Sequence, residues 1–318
     1  MIHFEDEHLT VLLGDCRSVL AGLPAESVHT VVTSPPYWGL RDYGVSDQLG
    51  LEPTPEAYVA DMVAVFREVR RVLRADGTLW LNLGDSYAGS MTGADRPPEP
   101  GHSREDNGRV KTGQEGKHQR PQATGLKPKD LVGIPWRVAF ALQADGWYLR
   151  SDIVWSKPNP MPESVTDRPT KAHEYVFLLS KSARYYYDAD AVREASTDYE
   201  PRTIGRERNV GGRTDGYTRP IGNVATPAGG RNLRSVWHIA TEPYPGAHFA
   251  TFPQKLVEPC VKAGCPEGGV VLDPFAGSGT TGLVANRLGR RAILIDLSAD
   301  YLDQALTRNA QKPLGLGA

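Results

Sequence analysis

The stretch Asp273-Pro274-Phe275-Ala276-Gly277-Ser278-Gly279-Thr280-Thr281-Gly282 constrains this chain more than any other. It joins an apolar run, Val270 to Asp273, that reads as a strand to a helical pattern over Thr280 to Leu288. Gly277, Gly279 and Gly282 have the spacing G-x-G-x-x-G. Asp296 follows about twenty residues on, at the end of a further strand over Arg291 to Ile295. Glycines let the backbone approach a ligand closely, and an acid in that place accepts from ribose hydroxyls. No lysine follows the second glycine, so this is not a P-loop. Two ligands remain open, the dinucleotide of a nicotinamide or flavin oxidoreductase and S-adenosylmethionine. Asp273 at the head of the loop suits a cationic ligand, such as an α-ammonium, and opposes a pyrophosphate.

A nucleotide-binding sheet needs more strands after that acid, yet only a helix over Ala299 to Ala310 follows. The missing strands are at the other end of the chain, Leu9 to Leu13 and Val28 to Val32. The sheet is then circularly permuted, with its cofactor half C-terminal and its reaction half N-terminal. This order predicts that Asp15 and the turn at Ser34 sit on adjacent strand ends.

That turn, Thr33-Ser34-Pro35-Pro36-Tyr37-Trp38, ends an apolar strand at two prolines, which lack the N–H a ladder needs. It offers a hydroxyl, two carbonyls and two aromatic faces, which suit a planar ring bearing an amino group. A Pro-rich loop with a core aromatic is the plainer reading of the same residues.

Between these ends, apolar spacing predicts a helix over Glu56 to Arg74 stopped by Ala75-Asp76-Gly77, and a strand over Thr78 to Leu83. A helix over Pro128 to Asp145 follows, then strands over Tyr148 to Trp155 and Glu174 to Ser180, and later a helix over Pro253 to Lys262. Residues 88–126 hold almost no large aliphatics and read as a long basic loop. From Arg193 to Arg234 the aliphatics fail again, and Arg202, Arg206, Arg208, Arg213, Arg219, Arg231 and Arg234 are interleaved with Tyr199 and Tyr217. Arginine with aromatics and glycine suits phosphate contacts and base-edge readout.

Composition narrows the classes. The net charge of −2 announces no nucleic-acid binder, so any basic surface is local. There is no apolar window long enough to span a membrane and no signal-like N-terminus. Cys16, Cys260 and Cys265 form no C-x-x-C pair, which argues against a disulfide framework or a metal site and fits a reducing cytoplasm.

With both motifs in permuted order, the chain resembles the β-class amino-methyltransferases of DNA. The matching pieces are Gly14-Asp15, Thr33 to Trp38, Ile153 to Pro158, His173-Glu174-Tyr175, His248 to Leu256, Asp273 to Thr281, and Asp296 with Tyr301. The resemblance implies an α/β fold, a Rossmann-like AdoMet-dependent methyltransferase sheet, circularly permuted, with an inserted target-recognition region. It divides the chain into a catalytic half (1–87), the basic loop (88–126), the rest of the catalytic sheet (127–192), the target-recognition region (193–245) and the AdoMet-binding half (246–318).

It also implies roles. Asp273, Phe275, Gly277, Ser278, Gly279, Thr280 and Thr281 would hold the methionine part of AdoMet, and Asp296 its ribose. Asp15 and Cys16 would meet the adenine, and Phe252, Pro253 and Lys255 would close over the cofactor. Ser34, Pro35, Pro36 and Tyr37 would hold a base flipped from double-stranded DNA, with Ser34 Oγ and the Pro35 carbonyl accepting from the amine and Tyr37 stacking on the ring. Trp38 would join the arginines on DNA. Serine in first position points to cytosine N4, adenine N6 being the alternative. A cytosine C5 enzyme needs a thiolate nucleophile in a Pro-Cys turn, and no cysteine sits near this turn. A cognate restriction endonuclease and a homodimer are the further partners this resemblance allows.

Overall fold

The computed structural model describes residues 1–40, 48–89, 125–195, 230–242 and 253–310. Strands β1 (Ile2–Glu5), β2 (Leu9–Leu13), β3 (Val28–Thr33), β4 (Leu73–Leu83) and β5 (Tyr148–Ser156) come first in the chain. Strands β6 (His173–Ser180), β7 (Val236–His238), β8 (Val270–Asp273) and β9 (Arg291–Asp296) follow. Helices α1 (Cys16–Gly22), α2 (Pro55–Val72), α3 (Ile134–Ala144), α4 (Gln254–Gly264), α5 (Thr280–Arg287) and α6 (Ala299–Ala310) lie between and after them. The strands form one sheet in the order β1-β2-β9-β8-β3-β4-β6-β5-β7.

The two ends of the chain meet in the middle of this sheet. β2 runs parallel to β9, with Leu9 beside Ala292 and Leu13 beside Asp296. β3 runs parallel to β8 and to β4, while β6 is antiparallel to both β4 and β5. The permuted sheet is therefore present, with one correction. Asp15 and Ser34 do not stand on adjacent strand ends, because β9 and β8 lie between β2 and β3.

Alternation along the strands builds a core on each face. Val31, Leu79, Leu81, Phe177 and Leu272 pack with α1, α2 and α3. Their neighbours Val32, Trp80, Val176, Leu178 and Val271 pack with α4, α5 and α6. The crossover β3–α2–β4 thus leaves on one face and β8–α5–β9 on the other. The divergence opens a crevice above the carboxyl ends of β3 and β8, where open α/β sheets take their ligands.

Three local expectations change. Helix α2 is capped by Thr54 Oγ1, which accepts from Ala57 N at 3.1 Å, but it ends at Val72 and passes directly into β4. Leu73 is fully buried and pairs with Val28, so sheet pairing overrides the turn signal of Ala75-Asp76-Gly77. A Cβ on Gly77 would lie 3.1 Å from the His29 carbonyl, so this glycine admits a neighbouring strand. Helix α3 starts at Ile134 rather than Pro128, because the preceding residues pair with 86–88 through Val132 N to Ser86 O and Ala88 N to Asp130 O. Finally, β7 lies inside the stretch assigned to target recognition. It pairs with β5, and Trp237 is buried in the core, so 193–245 is not wholly an insertion. Sequence pattern gives no sign of β1, which is antiparallel to β2.

Candidate active site

The ends of β8, β9, β2 and β3 supply the crevice. At the end of β8, Asp273 is wholly buried, and its carboxylate is turned inward. Thr33 Oγ1 donates to it at 2.6 Å, Thr281 Oγ1 at 2.7 Å and Phe275 N at 3.1 Å. Burial pushes its pKa up to about 6. This corrects the sequence expectation that Asp273 meets an ammonium directly. Its carboxylate ties β3, the glycine loop and α5 together.

The loop above it is shaped by glycine. Gly279 has φ +74°, and a Cβ there would lie 2.5 Å from Ala305 Cβ. Gly277 also has a positive φ, +48°, but a Cβ there would meet nothing within 4 Å. One glycine is required by packing and the other borders open space. Gly277 N donates to Asp296 Oδ2 at 2.8 Å, and Ser298 N to Asp296 Oδ1 at 2.9 Å. Burial raises the Asp296 pKa. Each carboxylate oxygen has a second lone pair, so Asp296 can still accept from hydroxyls. Sequence reasoning missed Arg308 of α6, which donates to the carbonyl and Oγ of Ser278 and to Thr280 Oγ1, at 2.7 to 3.1 Å.

β2 ends beside β9, where Gly14 N donates to the Asp296 carbonyl at 2.9 Å. Asp15 then caps α1 by accepting from Arg17 N at 2.7 Å, and the Arg17 guanidinium grips the same carboxylate and lowers its pKa. Cys16 is buried, which pushes its thiol up to about 12. Pro253 is the N-cap of α4, which packs on α5, and Lys255 is exposed on the first turn. Phe252 lies outside the described residues.

At the end of β3 the supports are side chains from distant elements. The Tyr58 hydroxyl donates to the Pro36 carbonyl at 2.9 Å, so that carbonyl serves the fold. The Tyr37 ring lies against Gly84, where a Cβ would stand 2.5 Å from its Cε2. The Tyr37 hydroxyl lies 3.3 Å from Ser34 Oγ, 3.0 Å from Asn82 Oδ1 and 2.7 Å from Glu174 Oε2. Burial, then the Glu174 charge, holds its pKa well above the usual phenol value. Lys157 Nζ pairs with Glu174 and stands 4.3 Å from the centre of the Trp155 ring. Burial lowers the pKa of Lys171, whose ammonium faces Asp85 and Glu174. Glu174 and Lys157 fall within motifs the sequence singled out, but nothing local tied them to Tyr37.

Trp38 is a correction. It is 3% exposed, sits in the core with α2, and donates from Nε1 to the Glu52 carbonyl at 2.9 Å. It is a core aromatic and presents no surface to DNA. Arg231 and Arg234 are exposed and share the Glu194 carboxylate, at 2.9 and 2.8 Å. Arg202, Arg206, Arg208, Arg213 and Arg219, with most of the basic loop 88–126, lie outside the described residues.

The family described as DNA methylase (N6_N4_Mtase) matches residues 28–307. Among similar proteins, the Type II methyltransferase M.SmaI of Serratia marcescens is 47% identical over 94% of this chain and 89% of its own. The Type II methyltransferase M.Cfr9I of Citrobacter freundii is 48% identical over 94% and 87%. Among solved structures, the PvuII cytosine-N4-specific DNA methyltransferase superposes with a TM-score of 0.65 at 20% identity, covering 99% of this chain and 90% of that one. A Thermus thermophilus protein described as a candidate DNA modification methylase, solved with S-adenosylmethionine, superposes with a TM-score of 0.59 at 26% identity, covering 96% and 94%.

Proposed function

Because the chain belongs to the N6/N4 family of DNA methylases, we propose that it methylates N4 of a cytosine flipped out of double-stranded DNA. It is a site-specific DNA amino-methyltransferase that uses S-adenosylmethionine. The observation that carries the choice of base is Ser34, the first residue of the turn at the end of β3. A serine there, in place of an aspartate or asparagine, supports cytosine over adenine.

The residues present fit the cofactor. The space a Cβ of Gly277 would fill is open, and Asp296 stands beside it with lone pairs for ribose hydroxyls. When bound, S-adenosylmethionine supplies a methyl group on a cationic sulfur. The chain's part is positioning. Ser34 Oγ and the Pro35 carbonyl accept from the exocyclic amine and aim its lone pair, while Tyr37 packs beside the ring. The proton leaves the nitrogen late, to Ser34 or water, and no covalent bond to the protein forms.

Sequence recognition is assigned to the stretch from Arg193 to Arg234, helped by residues 88–126. Exchanging Arg193–Arg234 for the same stretch of a relative is expected to change the methylated site; an unchanged site would refute the assignment. A cognate restriction endonuclease is the partner that resemblance to Type II enzymes suggests. No helix among the described residues is long and apolar enough to cross a membrane. The three cysteines are free and buried, which suits the cytoplasm.

The test is direct. The protein is incubated with unmethylated genomic DNA and S-adenosylmethionine, and the nucleosides are identified by mass spectrometry. N4-methylcytosine is expected. N6-methyladenine would overturn the choice of base.

A further inference from the structure

Glu174 and Lys157 stand at facing ends of β6 and β5, with side chains only 16% and 17% exposed. Three donors converge on the carboxylate. Lys157 Nζ occupies Oε1, while the Tyr37 hydroxyl, at 2.7 Å, and Asn82 Nδ2, at 3.1 Å, occupy Oε2. Asn82 Nδ2 also donates to the Tyr175 carbonyl at 3.1 Å. That second bond fixes the orientation of the amide and leaves Oδ1 facing the Tyr37 hydroxyl at 3.0 Å.

These contacts set the direction of a hydrogen-bonded chain. The Tyr37 hydroxyl has one proton and two inner neighbours, Glu174 Oε2 and Asn82 Oδ1, that can only accept. Its proton goes to one of them. Its third neighbour, Ser34 Oγ at 3.3 Å, must then donate to it. Ser34 also has one proton, so its lone pairs are left for whatever occupies the crevice.

We propose that Glu174, held by Lys157, is a positioning residue that fixes the Ser34 hydroxyl as an acceptor, so that the turn takes a base carrying an amino group and opposes one carrying a keto oxygen. A serine alone could turn its proton outward and donate to a carbonyl. With Tyr37 oriented by Glu174, a keto oxygen meets lone pairs, whereas an amine N–H meets an acceptor. The inference rests on Ser34 meeting the amine and holds for cytosine or adenine alike.

The amide of Glu174→Gln has one acceptor oxygen where the carboxylate has two, and adds two N–H groups of its own. With Lys157 on that oxygen, the amide nitrogen faces the Tyr37 hydroxyl and the Asn82 N–H. The Asn82 amide turns to relieve the facing donors, which takes Oδ1 away from Tyr37, and with both inner acceptors gone the Tyr37 proton is driven toward Ser34. Single-turnover methyl transfer to unmethylated genomic DNA is measured for the wild type, Glu174→Gln, Ser34→Ala and the double variant, together with S-adenosylmethionine affinity as a check on folding. Glu174→Gln is expected to slow transfer about 10- to 100-fold. Cofactor affinity should stay within about twofold, and the same substitution should cost less than about threefold once Ser34 is alanine. Equal losses in both backgrounds would overturn the inference, since a scaffold residue acts whether or not the Ser34 hydroxyl is present. If Glu174→Gln fails to fold, Tyr37→Phe replaces it in the same cycle, with coupling expected and additivity overturning. Undiminished transfer by Ser34→Ala would instead refute the reading of Ser34 on which the inference rests.

Discussion

The glycine loop after β8 and the Ser-Pro-Pro-Tyr turn after β3 crown neighbouring parallel strands, yet they are held by different means. The loop is shaped by what it lacks. Gly279 admits Ala305, Gly277 leaves space open, and backbone N–H groups from 275, 277 and 298 satisfy the buried Asp273 and the half-buried Asp296. The turn is held by what it reaches. Tyr58 of α2 takes the Pro36 carbonyl, and Asn82 of β4 and Glu174 of β6 take the Tyr37 hydroxyl. A cofactor shared by many enzymes can be cradled by backbone, whereas placing one amine to a fraction of an ångström calls for side chains braced from several directions.

Substitutions can break this contrast. The largest effect is expected from Ser34→Ala, which removes the hydroxyl proposed to meet the amine. Transfer should fall about 100-fold or more with cofactor affinity held, as single-turnover rates and equilibrium binding would report. Loss of both together would mean that the two regions are not separable.

Next comes a pair inside the loop. Gly279→Ala meets Ala305 and is strained at φ +74°, so it should cost about 2–4 kcal/mol in denaturant unfolding. Gly277→Ala meets no protein atom. It should cost only about 1 kcal/mol, the strain of its positive φ, while weakening S-adenosylmethionine about tenfold in a binding titration. If the order of the two stabilities reverses, the division between a packing glycine and a ligand glycine fails.

In the turn, Gly84→Ala presses on the Tyr37 ring. It should slow transfer about tenfold with little change in cofactor affinity.

The most gradual effect is the pH dependence of Asp273. Its folded pKa, about 6, lies above the ordinary carboxyl value, so the folded protein binds the extra proton. Its contribution is therefore full below about pH 4 and is lost as pH rises through about 6, at about 1 kcal/mol per pH unit. The stability difference between the wild type and Asp273→Asn should fall over that window. A flat difference would show that the buried carboxyl does not titrate there.

Local pattern made much of the fold legible. β3, β8 and β9 are short apolar runs, and both loops at the crevice follow them in sequence. The permutation was readable because a glycine loop with one strand and one helix after it cannot complete a sheet. Spacing in the chain could not rank the strands in space. It sets Asp15 and Ser34 side by side although β9 and β8 separate them. Nor could it distinguish Trp38, which is buried under the turn, from its neighbour Tyr37, since both are aromatics after prolines. The partners of Tyr37 lie 45 and 137 residues away, on strands whose pairing is set by the sheet. The same holds for Gly77, which reads as a helix stop though its neighbour in space is the His29 carbonyl.

The pairing of β2 with β9 and of β3 with β8 has a consequence for the order of assembly. Synthesis from the N-terminus delivers β2 and β3 early, within residues 9–33, while the two strands that fill the gap between them arrive only at residues 270–296. Until then each presents an unpaired edge, the kind of surface that recruits other strands. Closing the sheet across so long a separation is a slow step, because chain entropy is lost before the contacts form. A nascent chain of this protein therefore carries an open seam through its future centre until residues 270–296 are made and close it.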